Sequence, residues 1–158
     1  MTDDAARAYL AGLQWLSRRE LTEAQLRQRL ARRAFAPDII DTAITRLREE
    51  RALDDQRAAL ACARTEVRLR GRGRRRVEQR LITLGINRDV ARCAVAEAFG
   101  DVDEAALIDR AIDRRLRRGE SLDNTAVRAR LYRYLLGQGF DGDRVAAALR
   151  RRASREAL

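Results

Sequence analysis

Apolar residues along this chain recur at helical spacing, and no segment alternates in the manner of a strand. Ile40, Ala43, Ile44 and Leu47 fall at i, i+3, i+4 and i+7, one face of an amphipathic α-helix. Tyr9, Leu13 and Leu16 stripe a helix predicted over 5–17. Leu60, Ala63 and Val67 stripe one over 54–70, and Ile108, Ile112 and Leu116 one over 103–117. Leu26 and Leu30 mark a further helix, opened by Thr22 with Gln25 three residues on, the spacing of a capping box. Pro37, the only proline, falls in the first turn of the helix that follows, where its missing N–H costs little.

The same pattern returns twice. With Phe35, Ile86 and Phe140 aligned, Leu30, Leu81 and Leu135 stand five residues before them, and Leu26, Val77 and Leu131 stand nine before. Ala34, Gly85 and Gly139 precede the aligned residues directly, where a helix must stop and turn; glycine suits the positive φ such a turn demands. Asp38, Asp89 and Asp143 follow three residues later, at helix starts where a carboxylate suits the dipole. Ala43-Ile44, Ala94-Val95 and Ala148-Leu149 complete the alignment. The expected architecture is all-α, with three tandem three-helix, helix-turn-helix-like repeats over 1–50, 51–100 and 101–158. A unit of this size buries a small core and gains stability by stacking on its neighbour, so an elongated, gently curved array is expected. Aromatic residues make up only 4% of the chain, which leaves an aliphatic core.

Charge changes the picture. All 34 basic residues are arginine, and against 24 acids they give +10, a balance that favours anionic partners. Residues 1–50 hold nine arginines and eight acids, 51–100 twelve and six, and 101–158 thirteen and ten, so the net charges are +1, +6 and +3. Solvated helix faces account for the outer thirds; the middle excess is too local for that. Its centre is "RLRGRGRRRVEQRL", residues 68–81, with seven arginines to one acid. Arg57, Arg64 and Arg68 are spaced to share one helical face. Arg70, Arg72, Arg74, Arg75 and Arg76 crowd the bend that Gly71 and Gly73 introduce, and Arg76 and Arg80 flank the next helix. Such a cluster is expected to repel itself and to gain nothing for the fold. Its guanidinium forks suit phosphates and carboxylates. An anion-binding surface is the functional reading and a solvated bend the plain one. Trp15, Tyr132 and Tyr134 read as core or seam residues, so sequence-specific reading of bases is weakly supported.

Candidate chemistry is sparse. The chain has no histidine, which removes the commonest general base. Asp54-Asp55 opens a predicted helix, and an N-cap with its neighbour explains the pair. The "RGRG" at 70–73 lacks the spacing and the preceding strand of a phosphate-cradling loop. Cys62 and Cys93 stand alone without the ligand spacing of a zinc site, and both are expected to be reduced, buried thiols. No enzyme, cofactor or metal is therefore expected. The "MTDDAARAYL" start is neither a signal sequence nor a membrane span, which makes a cytoplasmic protein without membrane contact the expectation. Nothing resembles a long coiled-coil seam, and a monomer is expected.

Three stretches carry a family resemblance. "YLAGLQWLSRRELTEAQLRQRLARRAF", "LREERALDDQRAA" and "RLRGRGRRRVEQRLITLGI" resemble, in that order, the motifs of the RecX regulatory proteins. The likeness is close over about residues 9–99, and the third unit matches the family's weaker C-terminal repeat. Leu21 stands where the family often has histidine, and Ala58 where it usually has phenylalanine. Arg18, Arg19 and Glu20 match the first motif, although an interhelical structural pair explains them equally well. The resemblance implies a modulator that binds RecA recombinase filaments on single-stranded DNA and restrains their ATPase, strand exchange and co-protease activities, with consequences for DNA repair and the SOS response. Non-specific contact with single- or double-stranded DNA is compatible with the charge. A stand-alone DNA-binding module of helix-turn-helix type and an assembly adaptor remain open beside it.

Overall fold

The computed structural model describes residues 3–156, and these hold nine α-helices and no strand. They are α1 (Asp3–Leu16), α2 (Glu23–Arg32), α3 (Pro37–Glu49), α4 (Asp55–Arg68), α5 (Arg74–Thr83), α6 (Arg88–Ala98), α7 (Glu104–Arg115), α8 (Thr125–Gly137) and α9 (Gly142–Glu156). Helix α7 stops at Arg115, two residues short of expectation, because Leu116 turns to extended backbone. The residues group into two compact units. One is built on the chain up to Cys62 together with Arg80–Ala94, the other on Ala63–Gln79 together with Val95 onward. Helices α4, α5 and α6 of the middle repeat thus each contribute to both.

The aligned turns share one construction. Ala34, Gly85 and Gly139 all take positive φ, at 60°, 85° and 92°. In each, the N–H of the next residue (Phe35, Ile86, Phe140) reaches back five residues to Leu30, Leu81 or Leu135. The turn residue's own N–H reaches back three, to Ala31, Ile82 or Leu136. These paired bonds are the Schellman closure, and they satisfy carbonyls that the helix end would leave orphaned.

In the first unit α1 packs on α3 at close range. Gly12 permits this, since a Cβ there would stand 2.8 Å from the Leu47 methyl. Leu26, Leu30, Ile44 and Leu47 fill the core with no exposed surface. Leu21 and Ala58, the two departures from the family pattern, are both buried. Arg46 lies over the Tyr9 ring at 3.9 Å while both side chains bond Glu50, and these hydrogen bonds hold the Glu50 carboxyl below its ordinary pKa.

The capping box forms as the spacing predicts: the Thr22 hydroxyl accepts from Gln25 N at 3.1 Å, and Gln25 Oε1 accepts from Thr22 N at 3.0 Å. The same hydroxyl donates to the Leu84 carbonyl at 2.7 Å, joining the first repeat to the second. Beside it Glu23 N donates to Asp55 Oδ1 at 2.7 Å. Asp54 caps α4 through the N–H groups of Gln56 and Arg57. Burial, partly opposed by the Glu23 N–H, raises the Asp55 pKa.

In the second unit, Asp103 caps α7, Asn124 caps α8 and the Asp141 carboxylate receives the first N–H groups of α9. Ile108, Ile112, Leu131, Leu135, Phe140 and Val145 are buried. The expectation for the thiols needs correction: Cys62 is partly buried and Cys93 is exposed. The buried face of α6 runs through Ala91, Ala94, Val95 and Ala98, which turns Cys93 outward.

Two stability effects follow. Thr22→Ala removes a cap and the bond to Leu84, and is expected to cost about 1–2 kcal/mol in urea unfolding. Asp55→Asn keeps the acceptor for Glu23 N but removes a charge that burial disfavours. A raised carboxyl pKa contributes stability below the ordinary value that is lost as pH rises through the folded value. The variant's urea midpoint should therefore gain on the wild type as pH rises above about 4, and a constant difference between the two would refute the effect.

Candidate anion-binding surface

The basic stretch begins where α4 ends. Gly71 takes φ 61°, and Gly71 N and Arg72 N donate to the carbonyls of Val67 and Glu66, closing the helix. The second glycine serves a different need. Gly73 N donates to the Gln138 carbonyl at 2.9 Å, and Arg75 N donates to the Gly139 carbonyl at 3.2 Å. A Cβ on Gly73 would overlap the Gly139 backbone, and one on Gly139 would overlap Arg76. The two glycines let one main chain cross directly against another. Two donors at the start of α5, Gly73 N and Arg75 N, are thereby spent on protein carbonyls.

Glu66 is buried beneath the bend at 3% exposure. Its carboxylate accepts from Arg72 Nη1 at 2.7 Å and pairs with Arg70 Nη1 at 3.1 Å. Arg74 bonds Glu104 through Nε at 2.5 Å with its guanidinium 4.6 Å from the Phe99 ring centroid, and Arg144 holds the other Glu104 oxygen at 3.1 Å. Arg76 Nη1 donates to the Gly137 carbonyl at 2.8 Å, and Arg64 pairs with Glu97 at 3.2 Å. In the first unit Arg57 bonds Glu20 at 2.5 Å and reaches the carbonyls of Arg51 and Ala52. The hydrogen bond to Glu20 raises the Arg57 pKa further.

The expectation that the cluster gains nothing for the fold is therefore corrected. Six of the nine arginines hold internal partners, because carboxylates distant in sequence (Glu97, Glu104) or buried beneath them (Glu66) come within reach. Arg68, Arg75 and Arg80 are exposed with no ion pair among the described residues; Arg68 and Arg75 lie in the second unit and Arg80 in the first. Sequence reasoning missed two features of the bend. The Arg114 guanidinium, from the end of α7, lies against Gly71, and Leu69 is 80% exposed between Arg68 and Arg70. Nothing in the local sequence could place Arg114 there, 43 residues downstream.

What this geometry offers chemically is fixed positive charge. No cluster of metal-binding side chains forms among the described residues, and no helix among them is long and apolar enough to cross a membrane. Structural and free arginines should separate by mutation. Arg57→Ala is expected to cost about 1 kcal/mol or slightly more in urea unfolding, with Arg68→Ala and Arg75→Ala within about 0.5 kcal/mol of wild type.

Comparison with known proteins places the chain among relatives. The family model for the first three-helix domain of RecX matches residues 8–47, and that for the second three-helix domain matches 54–95. A regulatory protein RecX of Halorhodospira halophila is 34% identical over 138 residues, covering 87% of this chain and 83% of that protein. The regulatory protein RecX of Clostridium perfringens is 30% identical over 137 residues; these cover 85% of this chain but 63% of the relative, so the chain spans less than two thirds of its length. The crystal structure of RecX from Lactobacillus salivarius shares the fold with a TM-score of 0.77 at 21% identity, over 96% of this chain and 97% of that one. A second crystal structure, of a regulatory protein RecX, gives 0.78 at 23% identity over 90% and 70%. The tandem three-helix organisation, the two matched domains and the Halorhodospira relative together establish that the chain belongs to the RecX family of regulatory proteins.

Proposed function

We propose that this protein is a non-enzymatic regulator that binds RecA filaments on single-stranded DNA and restrains their ATPase, strand exchange and co-protease activities. Membership of a family whose relatives are named regulatory proteins carries the proposal. It acts as a cytoplasmic monomer whose repeats are 1–50, 51–100 and 101–158. The contact surface is the basic middle stretch, Arg57, Arg64, Arg68, Arg70, Arg72, Arg74, Arg75, Arg76 and Arg80. Within it the bend of the second unit supports the proposal best: Arg68, Arg75 and the neighbouring Arg114 are exposed with no ion pair among the described residues, and Leu69 beside Arg68 is exposed. Arginine around an apolar residue suits a protein surface bearing carboxylates, and the same forks serve phosphate.

The test is the ATPase of a recombinase preassembled on single-stranded DNA, titrated with this protein near physiological salt while binding to naked DNA is followed in parallel. ATPase should fall at protein levels where naked DNA is barely bound. Replacing Arg68, Arg75 and Arg114 together by glutamine removes three exposed charges at about 0.5 kcal/mol each, so half-inhibition should need roughly tenfold more protein. Unfolding should be unaffected. An unchanged ATPase beside tight, salt-sensitive DNA binding would instead identify a DNA-binding module.

A further inference from the structure

The first repeat has a net charge of only +1, yet its charges are segregated. Of its nine arginines, Arg7, Arg27, Arg46 and Arg48 pair with acids. Arg18, Arg19, Arg29, Arg32 and Arg33 have no ion pair among the described residues. The nearby carboxylates are committed elsewhere, Glu20 to Arg57 and Glu23 to Arg27 and Arg48. All five unpaired arginines fall within sixteen residues, on the turn after α1, the second half of α2 and its C-cap.

Four of the five adjoin Trp15, the only tryptophan of the chain. It is half-buried against the first repeat's core rather than enclosed by it. The Arg33 guanidinium carbon stands 4.8 Å from the ring centroid and that of Arg29 5.6 Å, both over the ring. Arg18 and Arg19 are anchored alongside, since both their N–H groups bond the Trp15 carbonyl. The sequence allowed Trp15 as core and these arginines as solvated faces; the structure brings Arg29 and Arg33 over the ring and the main chain of Arg18 and Arg19 against it, with the exposed Arg32 next to Arg33 in the chain.

A planar guanidinium resting on an indole extends the aromatic stack outward and presents a flat cationic face. Phosphates or carboxylates alone need no such plate, whereas an unpaired base has an exposed π-face to lay on it, and in a duplex that face is hidden. We propose that Trp15, Arg29 and Arg33 form a stacking platform for single-stranded nucleic acid, with Arg18, Arg19 and Arg32 meeting the adjacent phosphates. The platform needs no recombinase, so it stands or falls independently of the regulator function proposed above.

Trp15 is its own probe. Titrating the full chain with a 20-residue oligothymidylate at low salt should quench the tryptophan fluorescence to saturation. The same duplexed sequence and polyglutamate, at equal charge, should quench weakly. The double substitution Arg29→Gln and Arg33→Gln should lower the affinity at least tenfold, read by anisotropy of a labelled oligonucleotide, with the helical circular dichroism unchanged. Replacing Arg18, Arg19 and Arg32 by glutamine should reduce the slope of log affinity against log salt by about 2, at roughly 0.7 per phosphate on a single strand. Oligonucleotide binding that leaves the fluorescence unchanged and survives the Arg29/Arg33 substitutions would overturn the proposal. Equal quenching by polyglutamate would do so too, by identifying a general polyanion surface or an acidic protein partner.

Discussion

The seating of one repeat's turn on the start of the preceding repeat's second helix is the constraint from which the rest follows. It is built twice. In the first unit the Leu84–Gly85 turn meets Thr22 and Ala24, and in the second the Gln138–Gly139 turn meets Gly73 and Arg76. Thr22 and Gly73 occupy the same place in the alignment, as do Leu84 and Gln138, so a hydroxyl donor in one joint is replaced by a main-chain N–H in the other. The first residue of the following helix joins each as well, Asp55 of α4 receiving Glu23 N and Glu104 of α7 receiving the Arg74 side chain. Each joint needs a buried donor matched to a carbonyl and a turn residue without a Cβ.

This accounts for the basic stretch, which looks like a binding motif and is in large part a joint. Gly71 ends a helix, Gly73 makes room for a crossing chain, and Arg74, Arg76, Arg70 and Arg72 hold that crossing in place through Glu104, a carbonyl and Glu66. A carboxylate buried as deeply as Glu66 is tolerable only when both oxygens are answered, and two arginines answer them. The charge that the bend presents to solvent therefore comes from the guanidiniums that structure leaves over. An arginine run is a poor count of a binding site until its internal partners are subtracted.

Much of the fold was legible because local rules suffice for it. The Ile40–Leu47 stripe, the Thr22/Gln25 box, Pro37 at a helix start and the left-handed turns at Gly85 and Gly139 depend on residues a few positions apart. Charge was less legible, because an arginine side chain reaches partners of any sequence separation. Arg57 finds Glu20, Arg74 finds Glu104, and Arg114 arrives at Gly71 from another repeat. Averaging by thirds also misled: it balanced the first repeat on paper while two of its unpaired arginines, Arg29 and Arg33, lie over Trp15. Cys93 failed for a simpler reason, since an apolar segment still has an outward face.

The crossing of Gly73 and Gly139 is made of main-chain atoms, and every residue type except proline supplies the same amide. Mutation can rewrite most of the surrounding side chains without touching such a contact, provided two positions stay without a Cβ. A fold hinged on backbone in this way can drift far in sequence while its geometry is retained, and the Lactobacillus structure, 21% identical with a TM-score of 0.77, lies at about that distance. The drift is then free to be spent on the surface, where lineages can alter their arginines without rebuilding the scaffold.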